Sequence, residues 1–302
     1  MRDEFGALLT EQRNPKSMRL DVISTREIVA LINEEDASVA AAVRRVLAEI
    51  TRAADLIADR IRHGGRVFYV GAGTSGRIAL LDASEWPPTF GTSPDLVQVI
   101  IAGGVSAGVQ SAAPLEDDAT LGARDLAARD PKPRDVVVGL AASGRTPYVM
   151  GALRRAGEAG AATIAICSNP GAPMIASADI AIVAVTGPEL LTGSTRMKAG
   201  TAQKMILNML STAAMVRLGK VYSNLMVDVT PANEKLLERA RRIVSEAAGI
   251  PAAEADRVLE AGGRNLKTAI VMAGRRCSAE EANAALARAG GLIRKALEER
   301  GP

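Results

Sequence analysis

Five short, mostly apolar runs rich in β-branched and aliphatic residues alternate along this 302-residue chain with stretches of helical apolar spacing. The runs are Arg66–Val70, Leu96–Ile101, Asp135–Leu140, Ala162–Cys167 and Ile180–Val185. A strand apolar on both faces must be covered on both faces, and parallel neighbours need a crossover between them. Three intervening segments supply it, with helices predicted over Ser75–Glu85, Glu116–Arg129 and Pro147–Ala159; a long helix, Thr195–Leu218, is predicted after the last run. The pattern therefore predicts an α/β fold, a doubly wound parallel sheet with helices on both faces. Pro87-Pro88 is expected to stop the first of these helices.

Upstream, Ser24-Thr25-Arg26-Glu27 has the spacing of a capping box and opens a helix to about Asn33. A second, long helix is predicted from Asp36 to about His63, with Val39, Val43, Val46, Ile50 and Ile57 on one side. Beyond Val229 the strand pattern ends, and short helices punctuated by Pro251, Gly262-Gly263, Ser278 and Gly290-Gly291 read as a small all-helical domain. The domains expected are 1–35, an N-terminal arm and short helix; 36–230, the α/β domain; and 231–302, a helical bundle.

Composition removes several functions. Lys and Arg number 37 against 34 Asp and Glu, with 3 Phe, 3 Tyr and 1 Trp and no basic block, which leaves no stripe or stacking platform for nucleic acid. His63 is the only histidine. No Cys/His zinc site follows from one histidine, and Arg60-Ile61-Arg62-His63-Gly64-Gly65 reads as a helix end with a cation near its carbonyls. Cys167 and Cys277 show no pairing pattern, as in a reducing compartment. No apolar run approaches the roughly 18 residues of a membrane span, and Met1–Phe5 is charged rather than signal-like. The expectation is a cytoplasmic protein with no membrane partner.

In an open parallel sheet, ligands bind beyond the carboxyl ends of the strands. Gly71-Ala72-Gly73-Thr74-Ser75-Gly76-Arg77 follows the first strand and matches the Gly-x-Gly-x-x-Gly fingerprint of dinucleotide sites. That fingerprint also requires an acidic residue ending the second strand, where this chain has Ile101-Ala102-Gly103-Gly104. A nicotinamide cofactor is therefore disfavoured. A second turn, Ala142-Ser143-Gly144-Arg145-Thr146, follows the strand ending at Leu140. Each turn sets hydroxyls and backbone N–H groups at a helix start, a cradle for an anion such as a monoester phosphate. Either alone is an ordinary capped helix; two in successive units favour a sugar phosphate.

Gly71–Gly76 with Ser143-Gly144-Arg145-Thr146 resembles the sugar isomerase (SIS) domain. Longer strings resemble a narrower group, the N-acetylmuramic acid 6-phosphate etherases. They are Leu81-Asp82-Ala83-Ser84-Glu85-Trp86-Pro87-Pro88-Thr89-Phe90, Leu191 to Gln203, Asn224 to Val229, and Thr10-Glu11-Gln12-Arg13-Asn14. Trp86 departs from the family's common Cys, and Ala112-Ala113-Pro114-Leu115 from its usual segment before Glu116. The resemblance implies a lyase that removes a D-lactyl ether from the sugar phosphate, within cell-wall recycling. Ring opening, loss of the C2 proton, departure of lactate from C3 and addition of water require one acid and one base, without metal or cofactor. It assigns proton donation to Glu85 and the second catalytic role to Glu116, and it implies a homodimer with sites near the subunit interface. Gly73, Thr74, Ser75, Gly76, Ser143, Gly144 and Thr146 are expected to hold the substrate, with Glu189, Ser194 or Thr195, and Lys198 reaching its hydroxyls, phosphate or lactyl carboxylate.

Local context fits that division. Glu85, at a helix C-terminus beside apolar Trp86, is expected to stay protonated; Glu116, in the first turn of a helix, is expected to be ionised, opposed by Asp117 and Asp118. Read alone, Glu116-Asp117-Asp118 is a solvated helix start with too few converging oxygens for a cation cage. Two other readings share the fold: a non-catalytic sugar-phosphate-binding regulator, and an aldose–ketose isomerase that leaves the ether intact.

Overall fold

The computed structural model describes residue 6 and residues 8–104, 113–229 and 234–298. The charged start Met1–Phe5, Ala112 of the departing segment and the boundary at 230/231 lie outside the described residues. By contact the chain separates into two units, Met1–Ala83 with Asp95–Ser211, and Ser84–Pro94 with Thr212–Pro302.

The first unit holds the sheet. Strands β1 (Val67–Gly71), β2 (Val97–Ile101), β3 (Val136–Leu140), β4 (Ala162–Cys167) and β5 (Ile180–Val183) are ordered β2-β1-β3-β4-β5. Every pairing is parallel. β1, β3 and β4 are buried along their whole length, which is why they read as nearly continuous apolar runs. The doubly wound α/β sheet expected from the alternation is present.

The helices differ from expectation in instructive places. The first runs through the polar stretch at 33–36 as α1 (Thr25–Arg44), capped by the Ser24–Glu27 box. The break falls at Arg45–Val46, and α2 spans Leu47–Arg62. Glu35 makes the difference: it is buried and paired, so the acidic run stays helical instead of starting a new helix. His63 caps α2, its Nδ1 2.8 Å from the Asp59 carbonyl, as the sequence predicts.

Helix α3 (Gly73–Phe90) carries Pro87 and Pro88 inside its last turn rather than ending before them. The prolines withhold the amides that would bond the Ala83 and Ser84 carbonyls, yet the turn still closes from Gly91 N to Pro87 O at 2.9 Å. Glu85 is therefore not at the helix end, and the dipole argument for its protonation fails. The predicted helix 116–129 is two pieces: α4 (Ala113–Glu116), then α5 (Ala119–Ala127) capped by Asp118, whose Oδ1 accepts from Leu121 N. Glu116 thus closes a four-residue turn instead of opening a long helix.

α6 (Pro147–Glu158) packs with α5 over one face of the sheet, around Phe68, Val70, Leu126, Val137, Tyr148, Val149 and Leu153. The two helices touch backbone to backbone: a Cβ at Gly151 would lie 1.9 Å from the Ala119 carbonyl oxygen, and one at Gly122 1.9 Å from that of Tyr148. Neither carbonyl can swing away. Gly151→Ala is expected to destabilise the first unit by about 1–3 kcal/mol, as overpacking does, measured by denaturant unfolding against an Ala control at solvent-facing Gly157.

The second unit comprises the end of α3, the end of α7 (Lys198–Arg217), a hairpin of β6 (Val221–Tyr222) and β7 (Leu225–Met226), and five helices. These are α8 (Glu234–Ala248), α9 (Ala252–Ala261), α10 (Leu266–Arg275), α11 (Ala279–Arg288) and α12 (Ile293–Glu298). They close on Leu237, Val244, Leu259, Ile270 and Leu286. The Asn224–Val229 string has a structural task here. Asp228 pairs with Lys267 at 2.6 Å and Lys220 at 3.2 Å, and Gly91 fits against its backbone, where a Cβ would lie 2.1 Å from the Asp228 oxygen.

Candidate active site

In the order β2-β1-β3-β4-β5, the chain leaves β1 for β2 on one side and continues from β3 to β5 on the other, so the topological switch point lies between β1 and β3. Ligands of open α/β sheets occupy that crevice. The register places Gly71 beside Leu140, and both hydroxyl-bearing turns spring from these two strand ends.

In the first turn, a Cβ at Gly71 would meet the Gly76 amide at 2.8 Å, so only glycine lets the strand end cross the start of α3 this closely. Gly73 has φ +51°, and a Cβ there would lie 3.2 Å from Glu116 Oε1. The acidic side chain thus reaches the phosphate-type turn itself. Thr74 accepts from Arg77 Nη2 at 3.3 Å, and Ser75 is buried. Burial, and secondly the Asp117 carboxylate, push the Glu116 carboxyl above its ordinary value, against the attraction of Arg77. The expected effect of Asp117 is present; the helix-start stabilisation expected for Glu116 is not, because no helix starts there.

In the second turn, Gly144 has φ +67°, and a Cβ would come 2.4 Å from the Ala172 Cβ. Ser143 Oγ accepts from Arg145 N at 3.2 Å, while the Thr146 hydroxyl makes no cap bond to α6. Cys167 lies beneath this turn, its thiol pushed up to about 11 by burial.

The third segment is the entry to α7. Glu189 is fully buried and accepts from the backbone amides of Lys198 (2.9 Å) and Ala199 (3.0 Å); burial raises its carboxyl against those bonds. Both its oxygens are engaged, so it shapes the loop that carries Ser194 and Thr195. Lys198, expected to face the anion, instead donates to Glu35 Oε2 at 2.6 Å with its side chain 4% exposed. α7 abuts the first turn, where a Cβ at Gly200 would lie 3.7 Å from Thr74 Cγ2.

Within the first unit the structure thus gathers Gly73, Thr74, Ser75, Gly76 and Glu116 at one strand end and Ser143, Gly144 and Thr146 at its neighbour. Glu85 belongs to the second unit and is exposed on α3. Sequence reasoning missed Glu35, Asn14 and Asn169. Glu35 sits in a run that looks like solvated helix surface, whereas Asn14 lay inside the Thr10–Asn14 string without an assigned task. Among the described residues no three His, Cys, Asp or Glu side chains gather to hold a metal, and no helix is long and apolar enough to cross a membrane.

This architecture defines a SIS-type protein. Residues 123–213 match the SIS domain family, and residues 49–157 match the glucokinase regulatory protein N-terminal SIS domain. A phosphoheptose isomerase from Francisella tularensis shares the fold, with a TM-score of 0.52 and 17% identity over 64% of this chain and 100% of that one. More narrowly, the chain is 57% identical over 268 residues to the N-acetylmuramic acid 6-phosphate etherase of Symbiobacterium thermophilum, covering 89% of each. It is 55% identical over 291 residues to that of Geobacillus thermodenitrificans, covering 96% of this chain and 99% of the relative. The chain belongs to the N-acetylmuramic acid 6-phosphate etherase family.

Proposed function

We propose that this chain is a carbon–oxygen lyase that cleaves the D-lactyl ether of N-acetylmuramic acid 6-phosphate, giving N-acetylglucosamine 6-phosphate and D-lactate. The observation that carries the residue roles is the approach of Glu116 to Gly73, which sets a carboxylate beside the turn that would hold the phosphorylated sugar. In the ring-opened substrate the C2 proton is acidified by the aldehyde. Glu116 takes it, the C2–H electron pair forms the C2–C3 double bond, and the C3–O pair leaves with lactate. Glu85 protonates the departing oxygen; water then adds at C3 and a proton returns to C2. Thr74, Ser75, Ser143, Thr146 and the amides at the starts of α3 and α6 hold the phosphate. Ser194 and Thr195, on the loop that Glu189 shapes, face the remaining sugar or lactyl oxygens.

The same reading makes the enzyme a homodimer with sites near the subunit interface, working in the cytoplasm in recycling of cell-wall sugars. Glu85 is exposed on α3, as an acid that must reach a bound substrate has to be. Incubation of the purified protein with N-acetylmuramic acid 6-phosphate is expected to release D-lactate. Release of none by folded protein overturns the activity, and a ketose product with the ether intact favours an isomerase. Glu85→Gln is expected to abolish release while leaving the affinity for N-acetylglucosamine 6-phosphate within about threefold; an equal loss of binding makes Glu85 a structural residue.

A further inference from the structure

Asn169 stands two residues beyond the end of β4 and is 1% exposed. Its Nδ2 donates to the carbonyls of Ala142 (3.2 Å) and Ser143 (3.3 Å) and to Thr10 Oγ1 (3.0 Å), and its Oδ1 accepts from Thr10 N at 3.3 Å. Through Asn169 these bonds join the second turn to Thr10, 159 positions before Asn169 in the sequence. Thr10 is itself 1% exposed and begins the Thr10–Asn14 string.

The consequence for an anion lies in where the turn's carbonyls go. Ala141 O accepts from Gly144 N (3.0 Å), Ala142 O also from Ser168 N (3.0 Å), and Gly144 O from Met174 N (3.2 Å). Asn169 supplies the bond to Ser143 O. All four carbonyls from 141 to 144 are thus bonded inward. A free carbonyl at the mouth of the turn would repel a phosphate; tethering it inward leaves the hydroxyls of Ser143 and Thr146 and the positive end of the 12-residue α6. Asn169 is the side chain that holds this arrangement from behind, and Thr10 holds Asn169.

We propose that Asn169 is a positioning residue for the phosphate grip and that Thr10 of the N-terminal segment locks it in place. This rests on the reading of 142–146 as a phosphate cradle. Asn169→Ala frees the Ser143 carbonyl, so the KM for N-acetylmuramic acid 6-phosphate is expected to rise at least tenfold with kcat within threefold. The Kd for N-acetylglucosamine 6-phosphate, measured by calorimetry, is expected to rise in parallel. Thr10→Val keeps the volume and loses only the hydroxyl; a rise of about threefold to tenfold is expected, with Thr10→Ser restoring the wild-type KM. A general weakening of the fold would not divide KM from kcat in this way, nor be rescued by a hydroxyl.

Unchanged KM and Kd in folded Asn169→Ala, or a fall in kcat at constant KM, overturns the proposal. If Asn169→Ala does not fold, Thr10→Val decides by the same criteria. Failure of the wild-type protein to bind N-acetylglucosamine 6-phosphate overturns the phosphate reading itself, and so is distinguishable from failure of the variants alone.

Discussion

Glu116→Gln is expected to lower kcat by about 10²–10⁴-fold, the usual contribution of a positioned proton acceptor. The substitution keeps the shape and an acceptor oxygen next to Gly73 but removes the basicity. Affinity for N-acetylglucosamine 6-phosphate is expected to stay within about threefold, because the turn hydroxyls and amides that grip phosphate are untouched. Steady-state kinetics with calorimetric binding test this; a kcat near wild type removes Glu116 from the chemistry.

The same carboxyl fixes the acid side of the pH profile. A base acts ionised, and burial together with Asp117 raises the Glu116 carboxyl from its ordinary 4.5. Activity is therefore lost as pH falls through that raised value, earlier than an ordinary glutamate would allow. Asp117→Asn removes the like charge and is expected to move the acid limb of kcat/KM to lower pH. Arg77→Met removes the opposing cation and is expected to move it higher. An acid limb unmoved by both assigns it to another group.

The strands were legible because burial on both faces leaves only one kind of side chain available: Val136–Leu140 and Ala162–Cys167 could hardly be read otherwise. The two turns were legible for a related reason, since Gly71 and Gly144 mark places where a Cβ has no room. Helix ends were harder. Pro87 and Pro88 normally stop a helix, yet in the last turn they cost few amide bonds, and closure at Gly91 carries the helix past them. The Glu116–Asp118 stretch held two local signals, and the Asp118 cap, bonded to Leu121 N, prevailed over a start at Glu116. What the sequence hid most completely was long-range polar pairing. Asn169 with Thr10, and Glu35 with Lys198, join residues 159 and 163 positions apart, and no local pattern announces such partners.

The second of those pairs carries the largest expected effect on stability. Glu35 Oε2 lies 2.6 Å from Lys198 Nζ, with the side chains only 10% and 4% exposed. Oε2 also accepts from Asn14 Nδ2 at 2.8 Å, and Lys16 Nζ is 3.1 Å from Oε1. Burial pushes the Glu35 carboxyl up, but bonds from Lys198, Lys16 and Asn14 outweigh it and hold the group below its ordinary range. Glu35→Leu strands a buried ammonium and is expected to destabilise the first unit by about 3–5 kcal/mol. For a unit of this size that lowers Tm by roughly 6–20 °C. Lys198→Met is expected to be milder, because Glu35 retains Lys16 and Asn14. The double variant Glu35→Leu/Lys198→Met is expected to recover most of the loss, since two well-packed apolar side chains replace a pair whose attraction is largely offset by desolvation. The sign with pH follows from the depressed carboxyl: its stabilisation is present above the ordinary glutamate value and is lost as pH falls through the folded one. Wild-type protein should therefore lose Tm on acidification more steeply than the double variant. Equal acid slopes, or a Glu35→Leu protein as stable as wild type, would show that the pair contributes nothing to holding the N-terminal segment against α7.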